Sequence, residues 1–130
     1  MKTPVWFLGL AGVFLFSGQA SAQSGIEARY SDQYQSCNSG QTKAIVECVD
    51  ALTKKWDQRV NAAYGIAMNI LPAPRRQALQ AVQRNWVQYR DINCRWYAGG
   101  EGTVARVETA ECMRSMTATR AVELEWIIQR

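Results

Sequence analysis

Four cysteines, Cys37, Cys48, Cys94 and Cys112, stand in a chain of 130 residues that has no histidine. Those two facts delimit the chemistry. Without histidine there is no Ser-His-Asp triad, no Cys-His nucleophile pair and no imidazole ligand for a metal. The cysteines form neither a C-x-x-C motif nor a Cys/His cluster, so thioredoxin-like and zinc readings lack support. An even number of thiols is the pattern of structural disulfides. The spacings favour two local pairs, Cys37 with Cys48 and Cys94 with Cys112, and a crossed pairing between the ends of the domain is the alternative.

Carboxylates are the other candidates for chemistry. A glycosidase needs two of them facing across a cleft. Glu108 with Glu111, Glu123 with Glu125, and Glu47 with Asp50 are close in sequence, but each pair falls on a helical pattern and reads as solvated surface charge. Gly99, Gly100 and Gly102 match neither G-x-G-x-x-G nor the Walker pattern and follow no strand, so they read as a turn. Arg75-Arg76 and Lys54-Lys55 are short clusters without a nucleic-acid-binding motif. The residues thus point to no catalytic centre, no cofactor, no metal and no nucleic acid. Trp96-Tyr97, an aromatic pair beside the glycine turn, is the candidate partner contact, and burial of a helix end is the competing role for those rings.

The compartment follows from the first 22 residues. Lys2 supplies a basic n-region, Val5 to Phe16 an apolar h-region, and Ala20-Ser21-Ala22 a cleavage pattern. The apolar run falls short of the roughly 20 residues a spanning helix needs. Residues 1–22 therefore read as a cleaved signal peptide, leaving a periplasmic or secreted chain, Gln23 to Arg130, with no membrane span. Loss of Lys2 lowers the formal charge from +4 to +3. A mild basic balance of this kind favours anionic partners at long range, or simply solubility.

The elements that must position these residues are helical. Residues 23–40 are polar and irregular, a lead-in that Tyr30 and Tyr34 could pin to the domain, and residues 41–130 form the domain proper. Ile45, Val49, Leu52, Trp56, Val60, Ala63, Ala67 and Leu71 recur at threes and fours, one face of a helix about 45 Å long. Gly65 interrupts it at a cost of about 1 kcal/mol relative to alanine. Pro72-Ala73-Pro74 ends it, with Pro74 suited to the first turn of the next helix. A second stripe, Leu79, Val82, Trp86, Tyr89, Asn93 and Tyr97, runs to Gly99-Gly100, where a left-handed cap is expected. A third comprises Met113, Met116, Arg120, Leu124 and Ile127. No alternating strand pattern is present. The expected fold is a small antiparallel all-α domain of three helices, a long helical hairpin with a third helix packed on it, stapled by two disulfides. Arg120 lies in an apolar stripe, and buried charge needs a partner. Asp91 or another helix carboxylate is expected beside it.

Gln83-Arg84-Asn85-Trp86-Val87-Gln88-Tyr89-Arg90-Asp91 followed by Cys94 resembles the Q-R-x-W-x-x-Y/F-R-D-x-x-C signature of the LprI-type lysozyme-inhibitor family. Cys112, Thr117, Arg120 and Leu124 are similar to its closing C…T-x-x-R-x-x-x-L segment. Asn61-Ala62-Ala63-Tyr64 is similar to L-N-x-x-Y, with Val60 in place of the leucine, and Cys37 and Cys48 match the two upstream cysteines. The resemblance spans roughly residues 37 to 125. It implies a secreted or periplasmic all-helical domain with disulfides that inhibits lysozyme and so protects peptidoglycan. It carries over no catalytic residue. Trp86, Tyr89, Arg90, Asp91 and Arg120 read first as determinants of the fold. Animal-type lysozymes are basic, so a chain of charge +3 would need a local acidic patch to bind one, for which Glu108, Glu111, Glu123 and Glu125 are the candidates. The alternative function is an envelope structural or adaptor protein that binds peptidoglycan or a periplasmic partner.

Overall fold

The computed structural model describes residues 29–130. The expected signal peptide, residues 1–22, lies outside the described residues. Four helices follow one another: α1, Asp32–Cys37; α2, Thr42–Ile70; α3, Ala73–Ala98; and α4, Gly102–Ile128. The all-α antiparallel architecture is the one the stripes implied, and the disulfides are the two local pairs, Cys37–Cys48 and Cys94–Cys112.

Helix α2 buries the expected face: Val49, Trp56, Val60, Ala63 and Ala67 point inward. It runs unbroken through Gly65 and stops at Leu71, whose backbone turns extended ahead of Pro72. Pro74 sits in the first turn of α3, where a missing N–H leaves no bond unmade. The far end of α3 differs from expectation. Gly99 is right-handed, and Gly99 and Gly100 donate to the carbonyls of Trp96 and Tyr97, a tightened last turn. Glycine is favoured at Gly100 by space: a Cβ there would lie 3.3 Å from the Tyr97 carbonyl oxygen and 3.4 Å from Ala105 Cβ. The left-handed residue is Gly102, at φ +71°.

Helix α4 is the central element. Both α2 and α3 make their principal contacts with it rather than with each other. Its inward side chains face two neighbours, so Ala105, Ala110, Ala118 and Ala121 are buried along with Arg120 and Leu124, while Met113, Met116 and Ile127 of the expected stripe are only half-buried. The small residues permit close approach on both sides. One cluster joins Trp56, Val60, Ala63 and Ala67 to Leu79, Ala118, Ala121 and Leu124, and a second joins Tyr34, Cys37, Val49 and Ala110.

The lead-in is more regular than its composition implied, since residues 32–37 form a helical turn. Its polar sequence gives no apolar stripe, and the turn is held by what it docks on. Tyr34 and Cys37, three residues apart and therefore on one face, are both buried, and Cys37 is bonded to Cys48 of α2. Tyr30 and Tyr34 meet edge to face at 4.9 Å. Burial pushes the Tyr34 phenol above its ordinary range, with lesser contributions from Tyr30 and Glu111.

Candidate interaction surface

Two kinds of surface meet along α3: a seam against α4 that holds the fold, and an outer stripe that holds nothing. On the seam, Arg90 donates to Asp91 Oδ1 at 2.9 Å and to Thr117 Oγ1 of α4 at 3.4 Å, and lies 3.9 Å from Asp57 of α2. Its guanidinium stacks 4.9 Å from the Trp86 ring centre, and that of Arg120 approaches the same ring at 5.9 Å. Arg120, only 6% exposed, donates to Gln83 Oε1 at 2.9 Å and to Glu123 Oε2 at 3.1 Å. The expectation of a helix carboxylate beside Arg120 holds, but the carboxylate is Glu123. Asp91 is taken by Arg90, its immediate neighbour. The hydrogen bonds of Arg90 to Thr117 and of Arg120 to Gln83, with the Arg120–Trp86 cation–π contact, thus clamp α3 to α4, while Asp91 and Glu123 hold the two guanidinium groups from within their own helices. The Cys94–Cys112 bridge crosses the same seam with Cα atoms 5.4 Å apart.

Tyr89 does not join them. Its ring is 61% exposed, although the spacing had placed it on the core stripe with Val82, which is also exposed. The inward positions are instead Leu79, Gln83, Trp86, Arg90 and Cys94, because the disulfide and the Arg90–Thr117 bond rotate that face of α3 toward α4. What is left outside is a second apolar row: Val82, Tyr89, Ile92 and Trp96, spaced seven, three and four. Ile92 is 65% exposed and Trp96 77%. The i, i+3, i+7 recurrence of Tyr89, Ile92 and Trp96 was present in the sequence, but a single-stripe reading absorbed Tyr89 and passed over Ile92.

Of the aromatic pair beside the turn, Tyr97 is half-buried and Trp96 projects. The rings meet edge to face at 5.1 Å, and Arg29 from the lead-in stacks 4.4 Å over Tyr97 while donating to the Glu108 carbonyl at 3.0 Å. Between α3 and α4, beside the stripe, runs an open groove of about 450 Å³ lined by Trp86, Tyr89, Asn93, Met116, Thr119 and Glu123.

The acidic patch does not form. Glu111, expected in water, is fully buried and binds the equally buried Arg114 through two bonds of 2.7 and 2.8 Å. A helix with neighbours on two sides turns this position inward, and Arg114 supplies the counter-charge. Glu111 Oε1 also accepts the Tyr30 N–H at 2.7 Å. Glu125 accepts Arg59 Nε and Nη2 at 2.8 and 2.7 Å, which holds its carboxyl below the ordinary range despite partial burial. Glu123 is on Arg120. Among the described residues no cluster of three acidic or cysteine side chains is placed to hold a metal ion.

The described residues form an all-helical, disulfide-clamped domain with a projecting aromatic row. Residues 33–124 match the family described as Lysozyme inhibitor LprI, and the chain belongs to that family. No curated protein and no solved structure matches the chain. The disulfides suit an extracellular or periplasmic setting, and among the described residues no helix is long and apolar enough to cross a membrane.

Proposed function

We propose that this protein is a periplasmic or secreted inhibitor of a lysozyme-type muramidase. It acts by stoichiometric binding, without turnover, after removal of residues 1–22. The observation that carries the reading is membership, over residues 33–124, of a family described by lysozyme inhibition. The geometry supports it in two ways. The clamp around Trp86 and the Cys94–Cys112 bridge hold α3 rigid, which lowers the ordering cost of association. The outer row of α3 then presents Trp96, with Tyr97 at its base, in the manner of an aromatic anchor. The test is clearing of labelled cell wall by several lysozyme types, titrated with the purified protein. Inhibition that saturates near one equivalent is expected. Unchanged clearing at a large molar excess against every type would refute the reading. An adaptor that holds a periplasmic partner would use the same exposed row, and would retain that partner without slowing hydrolysis.

A further inference from the structure

Arg120 has one donor unused. Its Nε is taken by Gln83 and its Nη1 by Glu123, but Nη2 is buried without a hydrogen-bond partner, in a residue only 6% exposed. A buried N–H without an acceptor is costly, so it marks a place where an acceptor is wanted. Arg120 also lines a groove of about 360 Å³ beside the proline turn, walled by Leu71, Leu79, Val82 and Ile127. Its other charged lining residue is Arg75, which is exposed, and no carboxylate lines it. Glu123, the counter-ion of Arg120, is half exposed and lines the separate groove beside Tyr89. Apolar walls with two guanidinium groups fit an amphiphile with an anionic head. A guanidinium fork matches a carboxylate in shape as well as charge. A carboxylate carried in by an apolar tail arrives with water excluded, the condition under which a hydrogen bond to Nη2 is strongest. The volume lies at the small end of ligand sites, which suits a short aliphatic chain rather than a long lipid. A peptide C-terminus has the same headgroup, but its amides would meet walls with no polar group besides the two arginines. We infer that this groove binds a free aliphatic monocarboxylate of medium chain length, its tail on Leu79, Val82 and Ile127 and its headgroup on Nη2 and Nη1 of Arg120, with Glu123 yielding Nη1.

The site lies toward the opposite end of α3 from Trp96, and it stands or falls apart from the inhibitor reading. Isothermal titration of the purified protein with sodium octanoate tests it. One site with a Kd of about 1 mM or tighter is expected. Acetate, the headgroup alone, and octanol, the tail without charge, should each bind at least about 10-fold more weakly. Glu123→Gln frees Nη1 and should tighten octanoate about threefold. Val82→Glu sets a carboxylate in the wall and should weaken octanoate at least about 10-fold. Ile92→Glu, nearly three turns further along α3, should change Kd by less than about twofold. Val82 is 50% exposed and Ile92 65%, so both variants fold, and circular dichroism verifies it. Arg120→Gln should remove saturable binding, and where that variant does not fold, the headgroup series and Val82→Glu decide. No saturable binding of octanoate, equal affinity for octanol, or indifference to Val82→Glu overturns the site. An acetylated tetrapeptide with a C-terminal leucine that binds more tightly than octanoate gives the groove to a peptide and overturns the aliphatic acid.

Discussion

Glu111 and Arg114 are the most sensitive pair in the molecule. Both are 0% exposed, and the guanidinium meets the carboxylate through two bonds of 2.7 and 2.8 Å. The pair also reaches outward. Glu111 Oε1 accepts the Tyr30 N–H, and Arg114 Nη1 approaches Gln33 Oε1 at 3.4 Å, the same oxygen that accepts the Trp56 indole N–H at 2.7 Å. The network therefore ties the lead-in to α4 and α2 together. Glu111→Gln keeps the shape but strips the charge from the carboxylate that makes two bonds to the buried guanidinium. Breaking a buried pair from one side costs about 3–5 kcal/mol. A domain of this size has a total of about 5–15 kcal/mol. At about 4–8 °C of Tm per kcal/mol, the variant should melt at least about 12 °C lower.

Removing both charges is a different experiment. Glu111→Leu with Arg114→Met deletes the desolvation cost as well as the attraction, and such replacements are often neutral or stabilising. The double variant should lie within about 2 kcal/mol of the parent, far above either single variant. Urea denaturation followed at 222 nm supplies the four corners of the cycle. Limited proteolysis adds location: Glu111→Leu should open residues 29–38 to cleavage first, since the Tyr30 N–H loses its acceptor there. If Glu111→Gln costs less than about 1 kcal/mol, or the double variant loses the sum of the singles, the buried ion pair is not what organises this end of the domain.

Three further outcomes follow from the same geometry. Replacing either disulfide by a pair of alanines should cost about 3 kcal/mol, since the closed loops span 11 and 18 residues. Loss of Cys94–Cys112 should additionally raise hydrogen exchange along α3, which loss of Cys37–Cys48 should not. Gly65→Ala should raise stability by about 0.5–1 kcal/mol, because α2 is continuous there and an added Cβ meets nothing within 4 Å, a gain that urea denaturation measures directly. Glu125, whose carboxyl is held low first by its hydrogen bond to Arg59, contributes stability above its unfolded pKa of about 4.3, lost as pH falls through the lower folded value. The advantage of the parent over Glu125→Gln, about 1 kcal/mol or less for so exposed a pair, should therefore be present at pH 7 and shrink in acid melts below about pH 4.

The most legible part of the fold was α2, whose broad apolar face meets one dominant neighbour. Helix α2 packs mainly on α4, so its stripe from Val49 to Ala67 emerges intact. Helix α4 has neighbours on two sides, and its stripe blurs. Glu111, Arg114, Ser115, Thr117 and Arg120 are all buried there, and nothing in their spacing separates them from surface polar residues. Sequence reasoning could identify Arg120 as a charge needing a partner, because it stood among apolar neighbours. It could not choose Glu123 over Asp91, because that depended on Arg90 claiming Asp91 first. The projecting row on α3 was hidden for the opposite reason. Val82 and Tyr89 were assigned inward because apolar residues at helical spacing are usually core, and only the rotation set by Cys94 and Arg90 turns them out.

That rotation links the stability of the domain to the work proposed for it. A helix of this amphipathicity has enough apolar surface for about one neighbour. By spending Leu79, Trp86 and Cys94 on α4, α3 leaves Tyr89, Ile92 and Trp96 uncovered, against the ordinary tendency of a small domain to hide its largest side chains. The clamp that forces this choice is made of the same residues, Trp86, Arg90, Asp91 and Arg120, that carry the family resemblance. Of the four glutamates that could have drawn a basic enzyme, one is buried on Arg114 and two are matched by Arg59 and Arg120. For the enzyme proposed as partner, long-range attraction is thereby weak, and apolar contact at short range is what the α3 row offers it. A rigid aromatic row supplies that kind of contact, because little conformational freedom remains for it to lose.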